Sequence, residues 1–116
     1  MYKIPKDFDI YSIKEKTISQ IGFGSNFITF FFDGGYIQIS GNFEYSYLGN
    51  SFMYTEIYPI SSDLGLLRLL DKRIINVSYT EDSLILTFDN NDVLTFKGDD
   101  MYESYSICLD GRRVIV

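Results

Sequence analysis

The second half of the chain gathers acidic side chains at positions that carboxylate chemistry could use. Glu81 and Asp82 form one pair, and Asp99, Asp100 and Glu103 form a second group. Two carboxyl groups at a fixed separation over a cleft, one of them desolvated, can act as general acid and base in glycoside hydrolysis. Carboxylates alone can also bind a hard cation. No polar motif recurs at the spacing that such a cleft demands, so a carboxylate-dependent enzyme is the weaker interpretation.

The lack of histidine and the single cysteine exclude further classes of catalytic and metal-binding site. The chain has no histidine and a single cysteine, Cys108. Histidine is the usual general base near neutral pH and a common metal ligand, and the Ser-His and Cys-His nucleophile pairs depend on it. One cysteine forms no internal disulfide and does not by itself ligate an iron–sulfur cluster. We therefore predict that the protein is not an enzyme and uses no cofactor and no metal.

Charge and hydropathy indicate the kind of partner and the compartment. The formal net charge is −6 and the pI is about 4.4, which opposes nucleic acid, because affinity for nucleic acid comes largely from cationic side chains at phosphates. We predict a basic protein partner and no nucleic acid. The mean hydropathy is near zero with no long apolar run, which predicts no membrane association. The N-terminus lacks the apolar stretch of a secretory signal, so we expect a cytoplasmic protein.

The acidic residues also form the first candidate for a binding surface. In an antiparallel meander successive turns alternate between the two ends, so the turns at Glu81 and at Asp99 should lie at the same end. The corresponding turns of the first half carry no charge. Acidic residues also populate turns simply because they cap and solvate them, and that alternative stays open. The predicted partner-binding set, called the acidic end below, is Glu81, Asp82, Asp99, Asp100, Tyr102 and Glu103.

A tyrosine-rich stretch is the second candidate surface. Tyrosine combines rigid contact area with a polar tip and is enriched in protein interfaces. Tyrosine is also common in β-strands, so the alternative is a partly solvent-exposed sheet face with no binding role. The stretch consists of Tyr45, Tyr47, Tyr54 and Tyr58, and Phe31 and Tyr36 are expected beside it.

The elements that must position these residues come from an internal repeat. Asp33 corresponds to Asp89 at an offset of 56 residues, and after one extra turn residue Gly41 corresponds to Gly98. We predict a single domain, 1–116, made of two repeats at about 9–58 and 65–116. Self-similarity at a fixed offset is the signature of a duplicated structural unit.

Each repeat has the alternation of β-strands. Phe30 and Phe32 in the first half correspond to Leu86 and Phe88 in the second, and we predict that the two pairs occupy equivalent core positions. The fold class is mainly β with a minor α component: a duplicated antiparallel β-meander with pseudo-twofold symmetry and a short helix, over Leu64–Leu70, linking the halves. An open sheet, a closed barrel and a sandwich all fit this pattern. The predicted strands are 17–23, 27–32, 36–40, 43–48, 52–58, 73–79, 83–88, 93–97, 102–108 and 112–116.

The second half also resembles a known group of proteins. Leu69–Ile74, Leu84–Asp89, Tyr102–Tyr105 and Val114–Val116 are similar to segments of small uncharacterised bacterial proteins, which pair an LL-G-K-x-I segment with an L-x-F-x-D/N-G hairpin and a YES-aromatic strand. Some of those proteins are encoded near secreted polymorphic toxins and are regarded as immunity proteins. The chain departs from the pattern at Asn90 and Asp71, where the group has glycine. The resemblance carries over no catalytic residue.

These observations predict a non-enzymatic acidic binding protein, most specifically a bacterial immunity protein that neutralises a toxin domain by binding it. An acidic inhibitor gains a fast association rate against a basic toxin. The alternative is a structural or self-associating β domain, for example a homodimer through exposed strand edges.

Overall fold

The protein is mainly β, as the alternation predicts. The computed structural model describes residues 3–24, 26–40, 42–54, 65–98 and 104–116. Two 3₁₀ helices, Ile10–Ile13 and Gly65–Leu69, accompany the strands. The strands within the described residues are β1 Gln20–Phe23, β2 Ile28–Phe32, β3 Gly35–Ile39, β4 Phe43–Tyr47, β5 Asn50–Tyr54, β6 Ile74–Tyr79, β7 Ser83–Phe88, β8 Val93–Lys97, β9 Tyr105–Leu109 and β10 Arg112–Ile115.

The strands form two antiparallel sheets of five strands each. The first sheet has the order β1-β2-β3-β9-β10 and the second has the order β6-β7-β8-β4-β5. Each repeat thus supplies a three-stranded meander to one sheet and a hairpin to the other. The five strands of a repeat do not stay together as one meander, because β9 pairs with β3 and β4 pairs with β8. Each hairpin completes the edge that the opposite meander would otherwise leave unpaired.

A close approach of two backbones allows the pairing of β3 with β9. Gly35 lies opposite Leu109 in the register of the two strands. A Cβ atom at Gly35 would lie 1.9 Å from the carbonyl oxygen of Cys108 and 2.9 Å from its carbonyl carbon. Only a residue without a side chain fits there, since the clash is with backbone that cannot rotate away.

Residues that are equivalent in the two repeats contact each other beside β1 and β6. Thr17 and Arg73, which differ by the offset of 56, form an isolated antiparallel bridge. Reciprocal contacts of this kind are what a twofold axis through the bridge would require, and the pseudo-twofold symmetry itself stays a prediction. The flanking hydrogen bonds exchange under the same offset: Ile18 N–H donates to the Lys72 carbonyl at 2.9 Å, and Ile74 N–H donates to the Lys16 carbonyl at 2.8 Å.

All residues of the predicted linking helix, Leu64–Leu70, except Leu64 belong to the described part of the chain. The described residues there form the 3₁₀ helix Gly65–Leu69, and residues 61–64 lie outside the described part of the chain. Leu66 and Leu69 of this helix are buried. Ile10 and Ile13, their counterparts at the offset of 56, are also buried in the first 3₁₀ helix. Each short helix therefore adds two aliphatic side chains to the core.

The core lies between the two sheets. All four residues of the predicted core pairs are at most 5% exposed, which confirms them as core positions: Phe30, Phe32, Leu86 and Phe88. Phe96 of the second sheet is fully buried, and its ring centroid lies 6.2 Å from that of Phe30 in an edge-to-face arrangement. The ring of Tyr105 lies 5.7 Å from Phe96. Aromatic contacts of this geometry contribute beyond their buried area, and they join the two sheets.

Replacing Gly35 tests the contact between β3 and β9. We expect Gly35→Ala to lower the free energy of unfolding by about 3 kcal/mol, because β9 must move away to admit the methyl group. Gly49→Ala is the matched control, because Gly49 has a φ of 78° and no atom within 4 Å of the added carbon. It should cost about 1 kcal/mol, the strain of the left-handed conformation alone. Urea denaturation of both variants measures the difference, and equal losses would contradict the close approach.

Candidate functional site

Two members of the acidic end lie in the described turn between β6 and β7, and both carboxylates already have partners. Glu81 forms an ion pair with Lys3 at 3.0 Å, and its side chain is 71% exposed. The Asp82 carboxylate accepts hydrogen bonds from the hydroxyls of Thr80 at 3.2 Å and Ser83 at 3.3 Å. An exposed ion pair of this kind contributes little to stability. Asp82 therefore stabilises its turn, while Glu81 faces solvent.

The turn that carries these acids meets the end of β8. The Asp82 carbonyl accepts hydrogen bonds from the Gly98 N–H at 2.8 Å and from the Tyr105 hydroxyl at 2.8 Å. The β6–β7 turn and the end of β8 are thus adjacent, as an antiparallel meander requires. The remaining predicted residues, Asp99, Asp100, Tyr102 and Glu103, lie outside the described residues.

The tyrosine-rich stretch does not form one exposed face, although the ring centroids of Tyr45 and Tyr47 lie 4.9 Å apart on the same side of β4. Tyr45 is fully buried and Tyr47 is half-buried. Phe31 and Tyr36 pack against each other in the first sheet, with ring centroids 6.1 Å apart, whereas β4 belongs to the second. The exchange of hairpins between the repeats separates them. Tyr58 and the side chain of Tyr54 are outside the described part of the structure.

A buried carboxylate next to Tyr45 is the feature that the sequence pattern did not predict. Asp92 is 1% exposed and is the only charged residue among the described ones that is buried. Its Oδ2 accepts a hydrogen bond from the Tyr45 hydroxyl at 2.6 Å and lies 3.6 Å from Nε of Arg68. In the sequence Asp92 closes a run of turn-forming residues, and its partners come from distant segments, so no local signal marks it.

Arg68 connects this buried carboxylate to the β4–β5 hairpin. The Arg68 guanidinium lies 4.7 Å from the ring centroid of Tyr47, a cation–π contact. The Tyr47 ring stacks on Phe52 with centroids 5.2 Å apart and an interplanar angle of 20°. Asp92 positions Arg68, and Arg68 positions the two aromatic rings. The hairpin is therefore ordered before any partner binds.

The same hairpin exposes large apolar side chains. The exposed fractions are 76% for Leu48, 53% for Met53 and 40% for Phe52. Leu48 and Gly49 form the turn with φ values of 52° and 78°, the conformation of a tight two-residue hairpin. Contiguous exposed apolar groups mark interaction sites more often than isolated ones do. Phe52 pairs with Tyr45 and Met53 pairs with Glu44, so Met53 lies on the outer face of the sheet and Phe52 lies on the side of Tyr45 and Tyr47. We call Tyr47, Leu48 and Phe52 the hairpin surface.

The equivalent hairpin of the other repeat, β9–β10, is different. Its turn carries Asp110 in place of Leu48, and Val114, the counterpart of Phe52, is buried. Arg112 donates to both carboxylate oxygens of Asp7, at 3.1 and 3.3 Å, and lies 5.4 Å from the ring centroid of Phe8. One hairpin is thus charged and partly covered by the N-terminal segment, and the other is apolar and open to solvent.

The hydrogen bond between Tyr45 and Asp92 also affects the protonation of the tyrosine. Burial raises the pKa of the Tyr45 hydroxyl, and its hydrogen bond to Asp92 raises the pKa further. At neutral pH this hydroxyl is therefore a fixed donor to Asp92. Within the described ranges no three His, Cys, Asp or Glu side chains come together as metal ligands.

Comparison with protein-family models, with curated proteins and with solved structures gives no significant match. Among the helices of the described residues, none has the length and apolar composition to cross a membrane.

Removing the buried carboxylate should destabilise the protein. We expect Asp92→Ala to lower the free energy of unfolding by about 1.5–3 kcal/mol, because the Tyr45 hydroxyl and Arg68 lose a charged partner. Asp89→Ala, in the same turn but exposed, should change it by about 0.5 kcal/mol or less. A double-mutant cycle with Tyr45→Phe measures the coupling between the two side chains, which should exceed about 0.5 kcal/mol. Purely additive losses would contradict the interaction.

Two buried tyrosines predict a loss of stability at alkaline pH. Burial is the main cause that raises the pKa of both Tyr45 and Tyr105, and the charges of Asp92 and Asp82 add to it. In the unfolded chain tyrosine ionises near pH 10, so above about pH 10 the unfolded state binds fewer protons than the folded state. The free energy of unfolding should therefore fall as the pH rises from there towards the folded pKa values. Urea denaturation between about pH 8 and pH 11 measures the slope, which should be smaller in a Tyr45→Phe, Tyr105→Phe double variant. Equal slopes would contradict the prediction.

Proposed function

We propose that the protein is a non-enzymatic acidic binding protein, most specifically a bacterial immunity protein that neutralises a toxin domain by binding it. The observation that supports a binding function best is the hairpin surface, where Leu48 and Phe52 are exposed and Tyr47 contacts Arg68, which in turn pairs with the buried Asp92. The more specific assignment as an immunity protein rests on the sequence resemblance.

The hairpin surface has the composition of an interface centre. Aromatic residues, methionine and arginine are enriched in interfaces, and a few well-packed anchors contribute most of the binding energy. Tyr47, Phe52 and Arg68 are fixed by mutual contacts, so little side-chain entropy remains to be lost on binding.

Charge defines the class of partner. The net charge of −6 favours a partner with a basic surface, and attraction between opposite charges speeds association more than it slows dissociation. The proposed roles are therefore divided: the acidic end steers the encounter, and the hairpin surface supplies the contact.

A self-associating β domain is the second candidate. β5 ends the second sheet in the described strand order and carries the exposed Phe52 and Met53, so two copies could pair along it. Two copies each carrying −6 repel one another, which disfavours this assembly at low salt. Sedimentation at raised protein concentration tests the second candidate, because self-association along β5 predicts a dimer in the absence of any other protein.

The proposal predicts that a neighbouring gene encodes a large protein that ends in a small basic toxin domain. The test is to co-express that domain with the tagged protein and to purify the complex at low and high salt. We expect Glu81→Lys with Asp82→Lys to slow association and to flatten its salt dependence, because rim charges act on the encounter. Phe52→Ala should speed dissociation by about 30-fold, the effect of losing an anchor of about 2 kcal/mol. Surface plasmon resonance measures both rates.

Ile85→Ala is the matched control for Phe52→Ala, since Ile85 is 37% exposed but lies on the outer face of the second sheet, in the row of Thr95, Glu44 and Met53 and opposite to the side that carries Phe52. It should leave both rates unchanged. Failure of the wild-type protein to bind the neighbouring toxin domain would overturn the immunity function. Catalytic turnover that is lost on substituting Glu81 or Asp82 would instead favour the carboxylate-dependent enzyme.

A further inference from the structure

A small polar hollow lies on the outer face of the first sheet, where β3, β9 and β10 run side by side. Ser106 pairs with Gln38 on one side and with Ile115 on the other, so the three residues form one row across the strands. Ser106 is only 5% exposed, which places it at the floor. The lining residues are Gln38, Ser40, Tyr105, Ser106, Arg113 and Ile115.

The second sheet has the same arrangement of strands at the equivalent place. The turns of the two hairpins match at an offset of 62 residues, with φ values of 52° and 78° in one and 51° and 86° in the other. Glu44 pairs with Thr95 there, as Ser106 pairs with Gln38 in the first sheet. Glu44 is therefore the counterpart of Ser106, and by the same offset Ser51 is the counterpart of Arg113.

In the second sheet the protein fills this position with a carboxylate of its own. Glu44 Oε1 accepts a hydrogen bond from the Ser51 hydroxyl at 2.6 Å and a longer one from Ser46 at 3.3 Å. In the first sheet the side chain of Ser106 is shorter than that of Glu44 and leaves the hollow open. Arg113 occupies the position that Ser51 has in the second sheet. The first sheet therefore has no carboxylate at this position, and the guanidinium of Arg113 replaces the hydroxyl donor of Ser51.

The groups that line the hollow are mainly hydrogen-bond donors. Arg113 forms no ion pair with any described residue. The Thr29 hydroxyl donates to Oε1 of Gln38 at 3.3 Å, which leaves the amide NH₂ of Gln38 available for a ligand. The hydroxyls of Ser40 and Ser106 add two rotatable donors. No acidic side chain lines the hollow, so its charge and its donors suit an oxyanion.

We propose that this hollow binds a carboxylate group of a polypeptide, either an Asp or Glu side chain or a chain terminus, with Arg113 as the charged donor. A carboxylate is favoured over a phosphate because the equivalent position already accommodates one and because a single guanidinium matches a single negative charge in bidentate geometry. The inference stands on the comparison of the two sheets and does not depend on the proposed function.

The affinity for an isolated carboxylate should be weak. A charge-assisted contact of this kind corresponds to half-saturation on the order of tens of millimolar. Such a site contributes selectivity when a larger ligand binds across the sheet face.

The test is a titration of the ¹⁵N-labelled full chain with sodium acetate, followed by NMR at constant ionic strength. We expect saturable shifts of the Ser106 amide and of the Arg113 Nε–H, whereas acetamide, the neutral isostere, should produce none. N-acetylaspartyl amide, which carries only a side-chain carboxylate, and N-acetylalanine, which carries only a terminal one, distinguish the two sources. Shifts that sodium chloride or acetamide reproduces would overturn the proposal.

Three variants localise the response. Arg113→Gln should abolish the acetate shifts, while Arg112→Gln, whose guanidinium is already bound to Asp7, should leave them intact. Ser106→Glu places in the first sheet the residue that the second sheet has, so it should remove acetate binding and raise the melting temperature. Should Ser106→Glu fail to fold, Arg113→Gln still decides the outcome, because unchanged acetate shifts in that variant would overturn the proposal.

Discussion

The pairing of each repeat's hairpin with the other repeat's meander is the constraint on which the rest of the structure depends. β9 pairs with β3 and β4 pairs with β8, so neither sheet can form from one repeat alone. At β3 the pairing requires the bare backbone of Gly35 against the carbonyl of Cys108. Both sheets contain strands from both repeats, so the core between the sheets is built from both repeats.

Differences at equivalent positions create the distinct surfaces of the two sheets. Gly35 corresponds to Asp92, so a close backbone contact in one sheet is replaced by a buried carboxylate in the other, which in turn positions Arg68. Glu44 and Ser106 differ in the same way on the outer faces: the long acidic side chain fills its site and the short hydroxyl leaves it open. The proposed binding position in the first sheet therefore rests on two differences between the copies, Glu44 against Ser106 and Ser51 against Arg113.

The proposed binding function follows from how these differences are distributed. The β9–β10 hairpin carries charges and contacts Asp7 and Phe8, while the β4–β5 hairpin carries Leu48, Phe52 and Met53 in solvent. Exposed apolar groups have a cost in solubility, which the net charge of −6 offsets. An apolar contact area on an acidic protein is a combination suited to a basic protein partner.

The sequence by itself determined the mainly β class, the positions of most strands and turns, and the side of β2 and of β7 that faces the core. Alternation at Phe30 and Phe32, and at Leu86 and Phe88, is a local property with a period of two residues, and Gly and Asn residues mark the turns between strands. The tertiary structure alone decided which strands share a sheet, that Tyr45 is buried, and that Asp92 is its partner. Those outcomes depend on contacts between residues far apart in the chain. Alternation predicts which face of a strand is buried, but it contains no information on which edge the strand pairs with.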